Sequence, residues 1–151
     1  MLHPFDVAMC AAQEAGSLLS RFFNEGFSVR LKGVSDMVTD ADISSERRIA
    51  AIIREAFPDH AILGEEENAG DVTAEHLWVV DPLDGTTNFA HHIPHFAVSI
   101  AYLHHGKPEC GVILNPIRED LYVARRGQGA THNGKRIHVG EQTNLNEVLL
   151  G

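Results

Sequence analysis

Apolar residues return every third or fourth position in the first part of the chain and every second position in the last part. Between Pro4 and Asn24, Ala8, Ala11, Ala15, Leu18 and Phe22 share one helical face, with Ala12, Leu19 and Phe23 beside them. Gly26 supplies the stop. Ser28 to Lys32 reads as a short strand with Val29 and Leu31 on one side. A second helix is predicted from Thr39 to Phe57, with Ile49, Ile52, Ile53 and Ala56 as its stripe and Pro58 closing it. Thr39 is its N-cap and Asp42 completes a loose capping box. Residues 61–63 and 77–81 are short apolar strands that run into acidic residues. From Phe96 onward the period is two: Phe96 to Leu103, Glu109 to Leu114 and Asp120 to Ala124 are strands, parted by turns at His105-Gly106-Lys107 and Asn115-Pro116. Asn133-Gly134 signals one more hairpin. Helices first and an antiparallel meander afterwards predict an α+β fold, two long helices packed on a largely antiparallel sheet.

Composition narrows the function. The chain of 151 residues is long enough for one domain with a core. Twelve Lys+Arg against 21 Asp+Glu give a net charge of −9, which argues against nucleic acid as a direct ligand. Neither a signal peptide nor a membrane span is visible. Cys10 and Cys110 lack metal-ligand spacing and read as buried, reduced thiols, as expected in the cytoplasm. The last residues, Val148-Leu149-Leu150-Gly151, read as the start of a strand, so the chain is expected to be truncated.

The chemistry concentrates in Asp81-Pro82-Leu83-Asp84-Gly85-Thr86-Thr87-Asn88-Phe89. Residues three apart on a regular strand face opposite ways. Pro82 bends the chain so that Asp81 and Asp84 can converge, with the Leu83 carbonyl as a third oxygen. The plainer alternative is a turn in which Asp84 caps a helix beginning near Thr86. Glu65, in Gly64-Glu65-Glu66-Glu67, follows the strand Ala61-Ile62-Leu63 and is either a solvated acid or a ligand. Glu65, Asp81 and Asp84 carry −3 and two Mg²⁺ carry +4, so the loaded site would attract a phosphate that the bare site repels. The N–H groups of Gly85 and Thr86 are placed to face phosphate oxygens, and the Thr86 hydroxyl to meet the attacking water. Asp42 is a helix-dipole residue with a second possible role as proton acceptor from Thr86. The pairs and clusters among the ten histidines, His91-His92 with His95 and His104-His105, read as structural or surface residues rather than metal ligands. Pro94 argues against a helix that would align His91 with His95. Arg125-Arg126 reads as a solvated strand end.

These strings resemble the inositol monophosphatase family, in its bacterial branch, over essentially the whole chain. Carrying the resemblance are Gly64-Glu65-Glu66, the Asp81–Phe89 string and Pro94-His95-Phe96-Ala97-Val98-Ser99-Ile100. Lys32 with Asp36-Met37-Val38-Thr39 and Asp42, then Arg126-Gly127-Gln128-Gly129-Ala130 and Asn133-Gly134, add to it. The resemblance implies the N-terminal, metal-binding half of the layered α/β sugar-phosphatase fold over residues 1–151, the C-terminal domain being absent. It implies hydrolysis of a small phosphorylated polyol with two or three Mg²⁺ ions, inhibited by Li⁺. Glu65, Asp81 and the Leu83 carbonyl match the ligands of a first ion, and Asp81 and Asp84 two ligands of a second. Thr86 with Asp42 matches the water-activating couple, and Gly85 with Thr86 the phosphate cradle. Members are often homodimers. The family's second half supplies a further aspartate and most contacts to the sugar. Without it, this chain could instead be a catalytically incompetent piece that binds or regulates. Gly85-Thr86-Thr87-Asn88-Phe89 favours inositol phosphates over fructose bisphosphate or nucleotide bisphosphates, whose enzymes carry Gly-Ser-Ser-Asn or Gly-Thr-Lys-Glu-Phe.

Overall fold

A computed structural model describes residues 2–31, 37–141 and 144. The first helix, α1 (Pro4–Glu25), starts on proline, whose missing N–H is no loss in a first turn. His3 caps it, its Nδ1 accepting from Phe5 N–H at 3.1 Å. Its buried side is Val7, Ala8, Ala11, Ala12, Ala15, Gly16 and Leu19. These small residues let α1 lie close against both the second helix and the sheet. A Cβ on Gly16 would sit 2.8 Å from Leu114. Cys10 lies on the exposed face, so the expectation of two buried thiols holds only for Cys110. The alanine stripe occupies the core side and leaves position 10 outside it.

Strands β1 (Val29–Leu31) and β2 (Met37–Thr39) form a small antiparallel pair. Lys32, Asp36 and the expected terminal strand at 148–151 lie outside the described residues. The second helix, α2 (Asp40–Ala56), has Thr39 as N-cap and a complete capping box with Asp42, as predicted.

The main sheet follows in order β3 (Ala61–Leu63), β4 (His76–Asp84), β5 (Ala97–His104), β6 (Lys107–Asn115), β7 (Asp120–Arg125), β8 (Gly129–His132) and β9 (Lys135–Ile137). The pair β3–β4 is parallel and every later pair antiparallel. The short helix α3 (Thr86–Ala90) leaves β4 through Gly85. The hairpin turns at His105-Gly106 and Asn133-Gly134 place both central residues at positive φ, as the predicted turn residues demand. Trp78, Val80, Val98, Ile100, Tyr102 and Val112 point at the helices and are buried. The opposite face leaves Val79, Ile113, Tyr122 and Ile137 at 37–46 % exposure. Among the described residues, no helix is long and apolar enough to cross a membrane.

Candidate active site

The strand β4 continues through Pro82 to Asp84 instead of ending at Asp81. It does so with a bulge. Asp81 pairs with Ser99 and Asp84 with Ala97, so three steps on β4 match two on β5. The extra residue turns a spacing of three into the equivalent of two, which is why both carboxylates reach one side. Proline suits the irregular position because it has no N–H to leave unpaired. The Ser45 hydroxyl, fully buried on α2, donates to the Pro82 carbonyl at 2.9 Å and fixes the bulge from below.

The plainer reading of Asp84 as a cap does not hold. The residue capping α3 is Gly85, at φ +93°, and no side chain caps it. A Cβ there would sit 3.0 Å from the His95 carbonyl oxygen, so glycine is required twice over. The Thr86 hydroxyl is instead engaged across the fold. Thr86 Oγ1 lies 2.9 Å from Asp42 Oδ1 and 3.1 Å from the Leu83 carbonyl. The other Asp42 oxygen accepts from Thr39 N–H at 2.8 Å and Thr39 Oγ1 at 2.5 Å. Asp42 is 1 % exposed, so these bonds set its orientation. Its two expected roles, cap and partner of Thr86, are thus filled by different oxygens of one carboxylate.

Asp81 is half-buried beside Asp84 and Glu65. Burial holds its carboxyl above the ordinary range, and the charge of Asp84 pushes the same way. Hydrogen bonds from Leu83 N–H and with Glu65 oppose that rise, and Asp42 adds to it. Asp81, Asp84 and Glu65 thus bring carboxylate oxygens together in one place. An all-oxygen donor set of this kind, with the Leu83 carbonyl beside it, fits a hard divalent cation. Next to Asp84 and Gly85 opens a cavity of about 280 Å³, lined also by Asn88, His95, Asn115 and Arg118. His91, His92 and His95 are exposed and share no helix, as Pro94 suggested.

Sequence reasoning missed Glu46, which organises the Glu65 loop. This fully buried side chain accepts four backbone N–H groups, from Glu65 (3.0 Å), Glu66 (2.6 Å), Glu67 (2.8 Å) and Asn68 (2.9 Å). The Asn68 amide adds a fifth bond at 2.7 Å. Burial alone would raise the Glu46 carboxyl, but the donors of Glu66, Glu67 and Asn68 outweigh it and hold it below the ordinary range. The signal was present. Asp42, Ser45 and Glu46 continue the stripe of Ile49 and Ile53, so three polar residues occupy core positions of an amphipathic helix.

The profile of the inositol monophosphatase family matches residues 1–151. The chain belongs to the inositol monophosphatase family. It is 45% identical over 152 residues to the Nus factor SuhB of Pseudomonas aeruginosa, covering 97% of this chain and 56% of that protein. It is 42% identical over 149 residues to the inositol-1-monophosphatase of Rhizobium meliloti, with the same coverage of 97% and 56%. The chain therefore spans about half the length of the curated relatives it matches. Among solved structures, the suhB protein of Bartonella henselae superposes with a TM-score of 0.85 at 42% identity, over 91% of this chain and 55% of that one. A lithium-chloride-soaked inhibitory complex of staphylococcal inositol monophosphatase-1 matches with a TM-score of 0.79 at 26% identity, over 88% and 52%. The inositol monophosphatase fold of these neighbours is the α+β arrangement expected from the sequence.

Proposed function

We propose that this protein hydrolyses phosphate monoesters with Mg²⁺, with inositol 1-phosphate as the favoured substrate. The observation that carries the reading is the Thr86–Asp42 couple, formed across 44 residues at the Asp81–Asp84 bulge. Glu65, Asp81 and the Leu83 carbonyl would hold one ion, and Asp81 and Asp84 a second. Bound there, Mg²⁺ neutralises charge and lowers the pKa of water. The protein's own groups supply proton handling and positioning. Asp42 is held by Thr39 on one oxygen and takes the Thr86 hydroxyl on the other. The lone pairs of Thr86 Oγ1 are then left to receive a proton from the attacking water as Asp42 draws away the hydroxyl proton. The N–H groups of Gly85 and Thr86 are the candidate phosphate cradle. The name of the Rhizobium relative supports the substrate class, and the staphylococcal lithium complex supports Li⁺ inhibition. Net charge supports an enzyme without direct nucleic-acid contact, and free thiols support a cytoplasmic one; the homodimer that the family resemblance implies is proposed with it.

A second reading is favoured by one observation. The exposed sheet face bearing Val79, Ile113, Tyr122 and Ile137 is apolar, and the chain spans 56% of its relatives' length. On that reading this span is the metal-binding half and is inactive until the rest of the fold covers the face. Phosphate release from inositol 1-phosphate, with and without Mg²⁺ and beside Asp84→Asn, decides. Mg²⁺-dependent release lost in Asp84→Asn supports the first reading. No release from a folded chain supports the second. Release untouched by Asp84→Asn rules out the site.

A further inference from the structure

The strand β4 begins on His76, at the end opposite Asp84. At about 3.3 Å per residue this places His76 roughly 17 Å from Asp81 and roughly 26 Å from Asp84 along the strand. His76 pairs across the ladder with His104 on β5, so both rings stand on one face. Their planes are within 4° and their centroids 4.7 Å apart. The stack continues inward through His60, 4.4 Å from His76, to Phe57 at 4.6 Å from His60. This packing fixes the planes of His76 and His104. The adjoining residue, Glu75, faces them. A single oxygen, Glu75 Oε1, lies 3.2 Å from His104 Nε2, 3.4 Å from His105 Nε2 and 3.7 Å from His76 Nε2. One ligand atom each from Glu75, His76 and His104 fall within 4.8 Å of one another, the one such set of three among the described residues.

We propose that Glu75, His76 and His104 form a site for a zinc-class transition-metal ion, with His105, which lies 3.4 Å from Glu75 but outside that 4.8 Å set, as the fourth donor once the ion draws it in; the site is separate from the Mg²⁺ centre and independent of the phosphatase reading. Three imidazole nitrogens and one carboxylate oxygen are the donors such ions take, whereas Mg²⁺ takes oxygen. Bonds of about 2.0–2.1 Å in a tetrahedron place donors roughly 3.3 Å apart, and the three Glu75 distances straddle that value. One carboxylate can balance only one imidazolium, whereas a divalent ion engages the lone pairs of several neutral rings at once. The remaining nitrogen of His76 has a partner of its own: Nδ1 lies 2.7 Å from the Tyr102 hydroxyl. With Nδ1–H donating to that oxygen, Nε2 presents its lone pair toward Glu75, the usual way in which a neighbour sets the tautomer of a metal-binding histidine. His60 is not a ligand through Nδ1, which accepts from Trp78 Nε1–H at 3.1 Å. The site is open to solvent, with side-chain exposures from 37% to 65%. An ion there joins the start of β4 to the β5–β6 turn.

The test is calorimetric titration of metal-free protein with Zn²⁺, in excess Mg²⁺ to occupy the carboxylate centre, together with Co²⁺ absorption as a report of tetrahedral geometry. One stoichiometric site is expected. His76→Asn and His104→Asn should weaken it by about tenfold or more, Tyr102→Phe by about tenfold, and Asp84→Asn should leave it intact. Wild-type protein that binds no Zn²⁺, or histidine variants that bind it as wild type does, overturn the proposal. Should the variants fail to fold, imidazole ¹⁵N spectra of the wild type decide. Zn²⁺ must shift the Nε2 signals of His76 and His104; shifts confined to other histidines overturn the site.

Discussion

Glu46 occupies the space that a side chain at position 64 would need. A Cβ built on Gly64 would overlap Glu46 Oε1, and the rest of the Glu46 carboxylate lies almost as close. That carboxylate is the hub of five hydrogen bonds to the loop carrying Glu65. Gly64 is therefore the condition for a buried anion to reach the loop. The exposed pair of Arg47 and Glu67 and the bond from Arg54 to Asn68 tie the same loop to α2 from outside.

Two substitutions should injure this loop by different routes. In Glu46→Gln one oxygen becomes an NH₂ group, so two loop N–H groups lose their acceptor and face a donor. A loss of about 2–4 kcal/mol is expected from denaturant unfolding. Gly64→Ala keeps the carboxylate but pushes it off its donors. Both should weaken Mg²⁺ binding through Glu65, read as a smaller Mg²⁺-induced rise in Tm. Unchanged stability in Glu46→Gln would mean that the hub is not the anchor.

Thr86 and Asp42 should behave as one unit. Thr86→Ala is expected to lower kcat by about 10²-fold to 10⁴-fold, the usual range for a lost proton acceptor, in whatever form of the protein is active. Asp42→Asn should do the same and, because it also breaks the capping box, lower stability by about 1 kcal/mol. The double variant should be little worse than either single one. Thr86→Ser keeps the hydroxyl and should retain most activity. Full additivity in this cycle would show two independent roles.

Much of this was legible from local pattern. Thr39 as N-cap, both long helices, the Asn133-Gly134 turn and the meander after Phe96 all follow from short-range period and turn chemistry. The carboxylate pair was legible because Asp81, Pro82 and Asp84 are adjacent. What escaped was long-range. The link from Glu46 to the Glu65 loop spans about twenty residues, and a glutamate in a helix reads as surface unless its position in the stripe is weighed. His76 and His104 are 28 positions apart and meet only through the β4–β5 register. The exposure of Cys10 escaped for the opposite reason: a stripe of small residues marks the core side only approximately.

The acid side of the stability profile should carry a signature of His60. Burial holds its imidazole below the ordinary histidine value, His76 adds to that, Asp59 opposes it and His104 adds a little more. The unfolded chain therefore accepts a proton at a pH where the folded one does not. His60 contributes its full stability above the ordinary histidine range. That contribution falls as pH drops through this range and is gone below the lowered folded value. His60→Gln, which can still accept from Trp78, should flatten this part of the profile when Tm is followed against pH in chelator. An unchanged slope would assign the loss to other groups.

The carboxylate centre should invert the usual order of mutant stabilities. In the absence of metal, burial and the charge of Asp84 both disfavour the ionised form of Asp81. Its folded pKa lies above its unfolded one, so its ionisation destabilises the fold as pH rises through that interval. Asp81→Asn removes the charge while keeping an acceptor for the Leu83 N–H, a bond of 3.2 Å. In chelator the variant should melt higher than wild type, by on the order of 2 °C. Mg²⁺ should reverse the ranking. Binding to the folded state adds about 2.7 kcal/mol at a hundredfold excess over Kd, and only the wild type has the ligands to gain it. The two melting temperatures plotted against Mg²⁺ should therefore cross. A variant that melts lower than wild type even in chelator would show that Asp81 is a structural residue whose hydrogen bonds outweigh its repulsion. The case for an anion cluster built around a cation would then fail at its most buried member.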